Sequence, residues 1–145
     1  MRFDAENQLC VAQAFTGAAT VSGNSYQKQS AAQDLSIGRQ MSIIFIPTVA
    51  AGAGSTHTLE AVQADNSALT SNLAVLAAIT VAAADLTVGS VHEIPIPKGV
   101  MDQLHIGFRN TSTGGTTTVT GDAYLVPSDE VPKYKSFVKV VDAEV

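Results

Sequence analysis

The chain has 145 residues and a formal net charge of −5, with 46% hydrophobic and only 14% charged residues, one cysteine and no tryptophan. A chain of this length forms one domain that buries roughly 70% of its unfolded surface, so it carries its own core. The acidic balance, with no cluster of Lys and Arg forming a polyanion-binding face, argues against direct nucleic-acid binding, and the lone Cys10 excludes an internal disulfide.

The charged fraction falls well below the ~25% of average soluble proteins, and Ala, Thr, Ser, Val and Gly fill the deficit. Such a weakly charged surface is easier to bury against neighbours than one dense in Lys and Glu, which fits an assembly subunit. The opening residues, Met-Arg-Phe-Asp-Ala-Glu-Asn-Gln, place acids and amides where a signal peptide needs an apolar core. No stretch reaches the roughly 18 uninterrupted apolar residues of a membrane span. Synthesis and folding in a reducing cytoplasm follow as expectations.

In chain order, residues 1–7 read as an extended arm. Leu9 to Phe15 reads as a first strand, with Leu9, Val11 and Phe15 on one side and Cys10 as a small buried apolar residue. A Gly-, Ala- and Ser-rich turn region surrounds the short Thr20-Val21-Ser22. Ser25 to Ser30 reads as a polar edge strand in which Lys28 and the glutamines block aberrant pairing. Asp34 to Gly38 alternates and then turns.

Met41 to Ile46 is a dense, β-branched apolar run ended by Pro47, which predicts a central strand. Thr56 to Ala64 alternates, with Thr58, Glu60, Val62 and Ala64 on one face and His57, Leu59, Ala61 and Gln63 on the other. Leu69 to Ala84 reads two ways. Leu69, Leu73 and Leu76 fall at helical spacing, whereas Ile79-Thr80-Val81 is β-branched and the neighbours on both sides read as strands. A strand from Leu73 to Val81 is the reading adopted.

Further on, Leu104, Ile106 and Phe108 alternate with Gln103, His105 and Arg109. Asn110 to Gly115 has the composition of a turn. Val119, Ala123 and Leu125 then share one face of a strand, and Thr118, Thr120, Asp122 and Tyr124 the other. About eight strands without a long helix between them predict an all-β fold, a jelly-roll-like antiparallel β-sandwich over residues 1–126. Residues 127–145 form a C-terminal extension: a polar Pro-bearing linker, then a lysine-rich alternating segment with Tyr134, Val138 and Val140 on one side. Docking on a neighbouring chain and folding back on its own sheet are equally open for this arm.

No catalytic signature emerges. The histidines, at 57, 92 and 105, are no closer than thirteen residues, so they lack the tight His-x-His pair of a cupin-type metal enzyme. Gly52-Ala53-Gly54-Ser55 lacks the Gly-Lys-Ser/Thr of a phosphate loop, and no Gly-x-Ser-x-Gly elbow is present. No catalytic, cofactor or metal residues are assigned. With no Trp and three Tyr, the stacking platform of a sugar-binding sandwich is poorly supplied.

Ile94-Pro95-Ile96-Pro97-Lys98-Gly99-Val100, followed by Leu104-His105-Ile106-Gly107-Phe108-Arg109, resembles the step and following strand of capsid cement proteins of tailed bacteriophages. Asp34-Leu35, Ile37-Gly38, Met41 to Ile46 and Leu59 to Gln63 extend the resemblance over roughly residues 9–126, and the tail from Pro127 departs from the shorter members. The resemblance implies a jelly roll, a homotrimer, and attachment to the outer surface of a phage capsid, where the protein bridges major coat subunits. Apolar side chains beyond the domain ends nominate Arg2, Phe3, Tyr134, Phe137, Val138 and Val140 as partner-binding residues. The alternatives are a carbohydrate- or receptor-binding β-sandwich module and, more distantly, a cupin-like enzyme.

Overall fold

The computed structural model describes residues 8–16, 19–52, 54–99, 102–114 and 118–132. Among the described residues nine strands occur: β1 (Gln8–Phe15), β2 (Ala19–Val21), β3 (Tyr26–Gln27), β4 (Met41–Val49), β5 (Thr56–Ala64), β6 (Ala74–Ala82), β7 (His92–Pro95), β8 (His105–Thr113) and β9 (Val119–Pro127). Single 3-10 turns follow β6 at Ala83–Asp85 and β9 at Ser128–Glu130.

Two antiparallel sheets form the sandwich. The first has the order β1-β9-β4-β7 and the second β2-β8-β5-β6, with β3 also pairing β8. Chain-adjacent strands therefore mostly sit in different sheets, and long-range pairs such as β1–β9 and β5–β8 close the structure. This is the strand order of a jelly roll, the expected fold class.

Alternation builds the core. Ile43 and Phe45 of β4, Leu59 and Ala61 of β5, Ile106 and Phe108 of β8, and Val119, Ala123 and Leu125 of β9 point inward into one buried cluster with Leu9 and Phe15. Three phenylalanines form its centre. Phe45 stacks on Phe108 at 4.9 Å between centroids, and Phe15 meets both edge-on at 5.7 and 5.3 Å. Each such ring contributes about 3–5 kcal/mol against Ala. Two strand glycines make room. A Cβ on Gly121 would stand 2.6 Å from Phe45 Cζ and 2.7 Å from the Ile46 carbonyl oxygen, and one on Gly107 would run into Leu69.

Several local expectations change. Leu9 and Phe15 are buried, but Val11 is 56% exposed. The register of β1 on β9 shifts twice between Gln8 and Gln13, and Ala12 adopts φ 47°, its N–H donating to Asp122 Oδ1 at 2.6 Å. Bulges reverse which residues face inward, so simple alternation fails there. Cys10 is buried as expected.

Lys28 does not guard an edge. Its side chain is buried and its ammonium donates to the carbonyls of Ala31 and Gln33, at 2.9 and 3.0 Å, holding the following turn. β4 does not stop at Pro47 but runs on to Val49, because β7 pairs only Ser42 to Phe45 and the Pro47 nitrogen needs no ladder partner beyond it. β6 is a strand, as favoured. Leu69 and Asn72 both adopt positive φ, 59° and 51°, a conformation that no continuing helix accepts.

Asn110 to Thr113, expected to turn, instead extend β8. Asn110 and Ser112 are buried, opposite Leu59 and His57 of β5. The outer face of the first sheet carries a second apolar cluster of Ile44, Ile46, Tyr124 and Val126. Val131, beyond the end of β9, caps it. Arg39 meets Asp129 at 3.2 Å and Glu130 at 3.5 Å and pins this return at the surface.

Candidate functional site

Three regions bear chemistry: a buried polar cluster between β5 and β8, an ion pair on the outer face of the same strands, and the rim of the sandwich.

The buried cluster is Ser55, His57 and Asn110. His57 is 0% exposed. Its Nδ1 lies 3.1 Å from Asn110 Oδ1 and its Nε2 3.0 Å from Ser55 Oγ. The chain of serine, imidazole and amide has the order of a nucleophile relay. Asn110 Oδ1 only accepts, so Nδ1 carries the proton toward it and Nε2 is left to accept from the serine hydroxyl. Ser55 Oγ also lies 2.9 Å from the Gly52 carbonyl, a competing acceptor for that proton.

A nucleophile must reach its substrate, and all three residues are sealed. The neighbouring cleft, of about 320 Å³, is lined by Ala50, Ala51, Gly54, Ala83, Ala84, Leu86 and Thr87, none of them a member of the cluster. The arrangement therefore serves to satisfy polar groups that cross-strand packing has buried. Satisfaction is incomplete: among the described residues Asn110 Nδ2 has no partner.

The outward-facing group is Glu60 with Arg109 and Thr111. Arg109 donates from Nε and one terminal nitrogen to the two carboxylate oxygens, both at 3.0 Å, and the Thr111 hydroxyl donates to Oε1 at 2.5 Å. Burial alone would push the Glu60 carboxyl up, but the hydrogen bonds from Arg109 and Thr111 outweigh it and hold the carboxyl below its usual range. Glu60 accepts from a side chain of β8 through both carboxylate oxygens, so the pair fixes the β5–β8 register. Sequence reading places Glu60 with Thr58, Val62 and Ala64 on one face of its strand, and Arg109 with Gln103 and His105 opposite an apolar face. Their pairing needed the knowledge that β5 and β8 are neighbours.

The histidines stay apart in function. His57 bonds Ser55 and Asn110, His92 lies 2.8 Å from Ser90 Oγ, and His105 lies 3.2 Å from Ser25 Oγ. Among the described residues no three His, Cys, Asp or Glu side chains converge as metal ligands would. Burial pushes the Cys10 thiol up to about 12, which keeps it a packed, unreactive thiol. The described aromatic rings offer no stacking platform. Phe15, Phe45, Phe108 and Tyr124 are buried, and Tyr26 packs against the core.

Exposed apolar side chains lie at the rim, on edge strands and in the turn before β4, where Ile37 is the most exposed of them. Val49 and Val88 are 58% and 55% exposed at the end of the sandwich that carries the cleft. Val75 of β6 is 46% exposed on a strand, Ala-Val-Leu-Ala-Ala-Ile-Thr-Val-Ala, that contains no charge and no proline. The residues nominated as partner-binding, Arg2, Phe3, Tyr134, Phe137, Val138 and Val140, lie outside the described residues.

Fold and surface together define a jelly-roll sandwich whose polar cluster is sealed and whose exposed apolar side chains are spread over one rim, the β1 and β6 strands and the turn at Ile37. No protein-family model and no curated protein matches the chain.

Proposed function

We propose that this protein is a structural virion component, a capsid cement protein that binds the outer surface of a tailed-phage shell and bridges neighbouring major coat subunits. The observation that supports this reading most is the distribution of surface chemistry. The potential nucleophile is buried, whereas uncharged apolar groups at Val49, Val88 and along β6 are presented to solvent. Exposed apolar surface on a small sandwich marks a binding face. The low charge density and the resemblance over residues 9–126 give that face its partner class.

In this reading the protein is made in the host cytoplasm, forms a homotrimer, and works without catalysis, cofactor, nucleic acid or membrane. Binding only the assembled, expanded shell adds its binding free energy to shell stability by mass action. Several weak contacts from one oligomer act together and give avidity without a single strong site.

The test is co-sedimentation with expanded heads and with unexpanded precursor shells built from the coat protein encoded alongside this chain. Binding to expanded heads, with raised heat resistance of those heads, is the expected result. Failure to bind either form removes the reading. The buried aromatic rings speak against the sugar-binding alternative, and a glycan array checks it directly.

A further inference from the structure

We infer that the β6 edge is a self-association surface: two copies of this chain join β6 to β6, antiparallel, about a two-fold axis at Thr80. The inference does not rest on the capsid reading, and a two-fold contact is separate from the three-fold contacts of a trimer.

Among the described residues the two sheets end on β1, β7, β2 and β6. Three of these edges carry devices that discourage pairing. β1 is twice bulged, with Ala12 at φ 47°. β2 has three residues, and β7 has four, among them Glu93 and Pro95. Short length, bulges, charge and proline are the means by which edges are blunted. β6 has nine residues with neither charge nor proline. Its one irregularity on β5 falls at Leu76, so Ala77 to Ala82 run in regular register.

That register settles which backbone groups face outward. The Ala83 N–H donates to the Ser55 carbonyl at 3.1 Å, and Ala82 stands opposite Thr56. Hydrogen-bonded and non-bonded pairs alternate along an antiparallel ladder. Ala77, Ile79 and Val81 therefore direct their N–H and C=O groups at β5, and those of Ala78, Thr80 and Ala82 point away from it. These three residues lie evenly about Thr80. A second copy turned about a two-fold axis there sets Thr80 opposite Thr80 and Ala78 opposite Ala82, so each outward N–H meets an outward carbonyl. Other axes fit worse. One at Ile79 faces backbone groups already bonded to β5. One at Ala78 sets Thr80 against Leu76, where the strand is irregular, and one at Ala82 sets it against Ala84 in the 3-10 turn.

Side chains agree with the axis at Thr80. Ile79 and Val81 pack against the core yet stay only partly buried. The rotation lays Ile79 of each copy beside Val81 of the other, and β-branched cross-strand pairs are a favourable kind. Ala78, Thr80 and Ala82 are exposed on the outer face. There alanine meets alanine and threonine meets threonine, and no charge meets its like. A contact that uses the same patch on both copies closes at two, so the edge is covered without growth into a fibre.

The test follows solution mass by light scattering over a dilution series, with hydrogen exchange of the Ala77–Ala82 amides. It compares the full chain, its Thr80→Lys and Thr80→Glu variants, and an equimolar mixture of the two, with circular dichroism to verify folding. The full chain is expected as an even multiple of 15.0 kDa that halves on dilution. The amides of Ala78, Thr80 and Ala82 lose protection as it does, while those of Ile79 and Val81 keep theirs through β5. Each charged variant faces its own like across the axis and raises the concentration of half-dissociation by about 5-fold, and the mixture reverses the loss. A mass that neither variant changes overturns the inference. So does weakening by one charge with tightening by the other, which means that the edge meets a charged segment other than itself. A monomer whose Ala78, Thr80 and Ala82 amides are protected at every dilution means that the chain covers its own edge, and this overturns it too. A monomer with those amides unprotected throughout, or a mixture no tighter than its components, overturns it outright.

Discussion

Replacing His57 by Leu tests whether the buried Ser55–His57–Asn110 cluster is structural. The volumes are similar, so the change removes hydrogen bonds more than packing. Two contacts disappear, at 3.0 Å to Ser55 and 3.1 Å to Asn110. Ser55 keeps the Gly52 carbonyl at 2.9 Å, whereas Asn110, whose Nδ2 already has no partner, loses its remaining side-chain contact with His57. A newly orphaned buried amide costs about 1–3 kcal/mol and the lost serine bond about 1 kcal/mol more, so His57→Leu should destabilise by roughly 2–4 kcal/mol. For a chain of this size that lowers Tm by about 6–12 °C. Adding Asn110→Leu removes the orphan and should return about 1–2 kcal/mol, so the double variant is more stable than the sum of the two singles predicts. Urea unfolding followed by far-ultraviolet circular dichroism gives each ΔΔG from the midpoint at constant m. The reasoning fails if His57→Leu stays within about 0.5 kcal/mol of the parent, or if the two changes are additive. Labelling of Ser55 in the native protein by a fluorophosphonate would likewise refute the sealed site.

Gly121→Ala forces a methyl against Phe45 and the Ile46 carbonyl, where backbone cannot yield, and should cost about 2–3 kcal/mol in urea unfolding; Gly38→Ala, with open space around it and φ 79°, should cost about 1 kcal/mol. The Glu60 carboxyl is held below its ordinary 4.5, so its contribution is present above pH 4.5 and lost as pH falls below that value. Arg109→Gln should therefore cost about 3 kcal/mol at pH 7 and flatten the acid limb of a stability–pH curve, both readable by unfolding at stepped pH. Cys10 is raised from 9.0 to about 12, so its contribution is complete below pH 9 and is lost between 9 and 12. In Cys10→Ala the alkaline loss should begin later, near pH 10, where burial-raised Tyr124 takes over.

Legibility in the sequence followed periodicity. β5 was read from Thr56 to Ala64 because strict alternation and flanking turn residues bounded it, and β6 emerged from Ile79-Thr80-Val81 against a competing leucine spacing. Where the chain departs from period two, reading by period failed. The β1 bulges turned Val11 outward, and the Asn-Thr-Ser-Thr run that looks like a turn became the buried end of β8. Lys28 looked like an edge guard because a lysine's preference is to be solvated. Two nearby carbonyls reverse that preference, and only folding brings them within 3.0 Å.

The sequence by itself determined the all-β class, the sandwich, the buried cysteine and most strand positions, because these depend on hydrophobic spacing and turn chemistry within a few residues. The tertiary structure alone decided the sheet order and the facing of Glu60 to Arg109 and of His57 to Asn110, pairs forty-nine and fifty-three residues apart. It also decided which strands lie at the sheet edges. Composition shows that β6 is uncharged, but only the order β2-β8-β5-β6 makes that strand an edge. Strand neighbours are chosen by the closure of the whole sandwich, a collective property of long-range contacts that no local window of sequence contains.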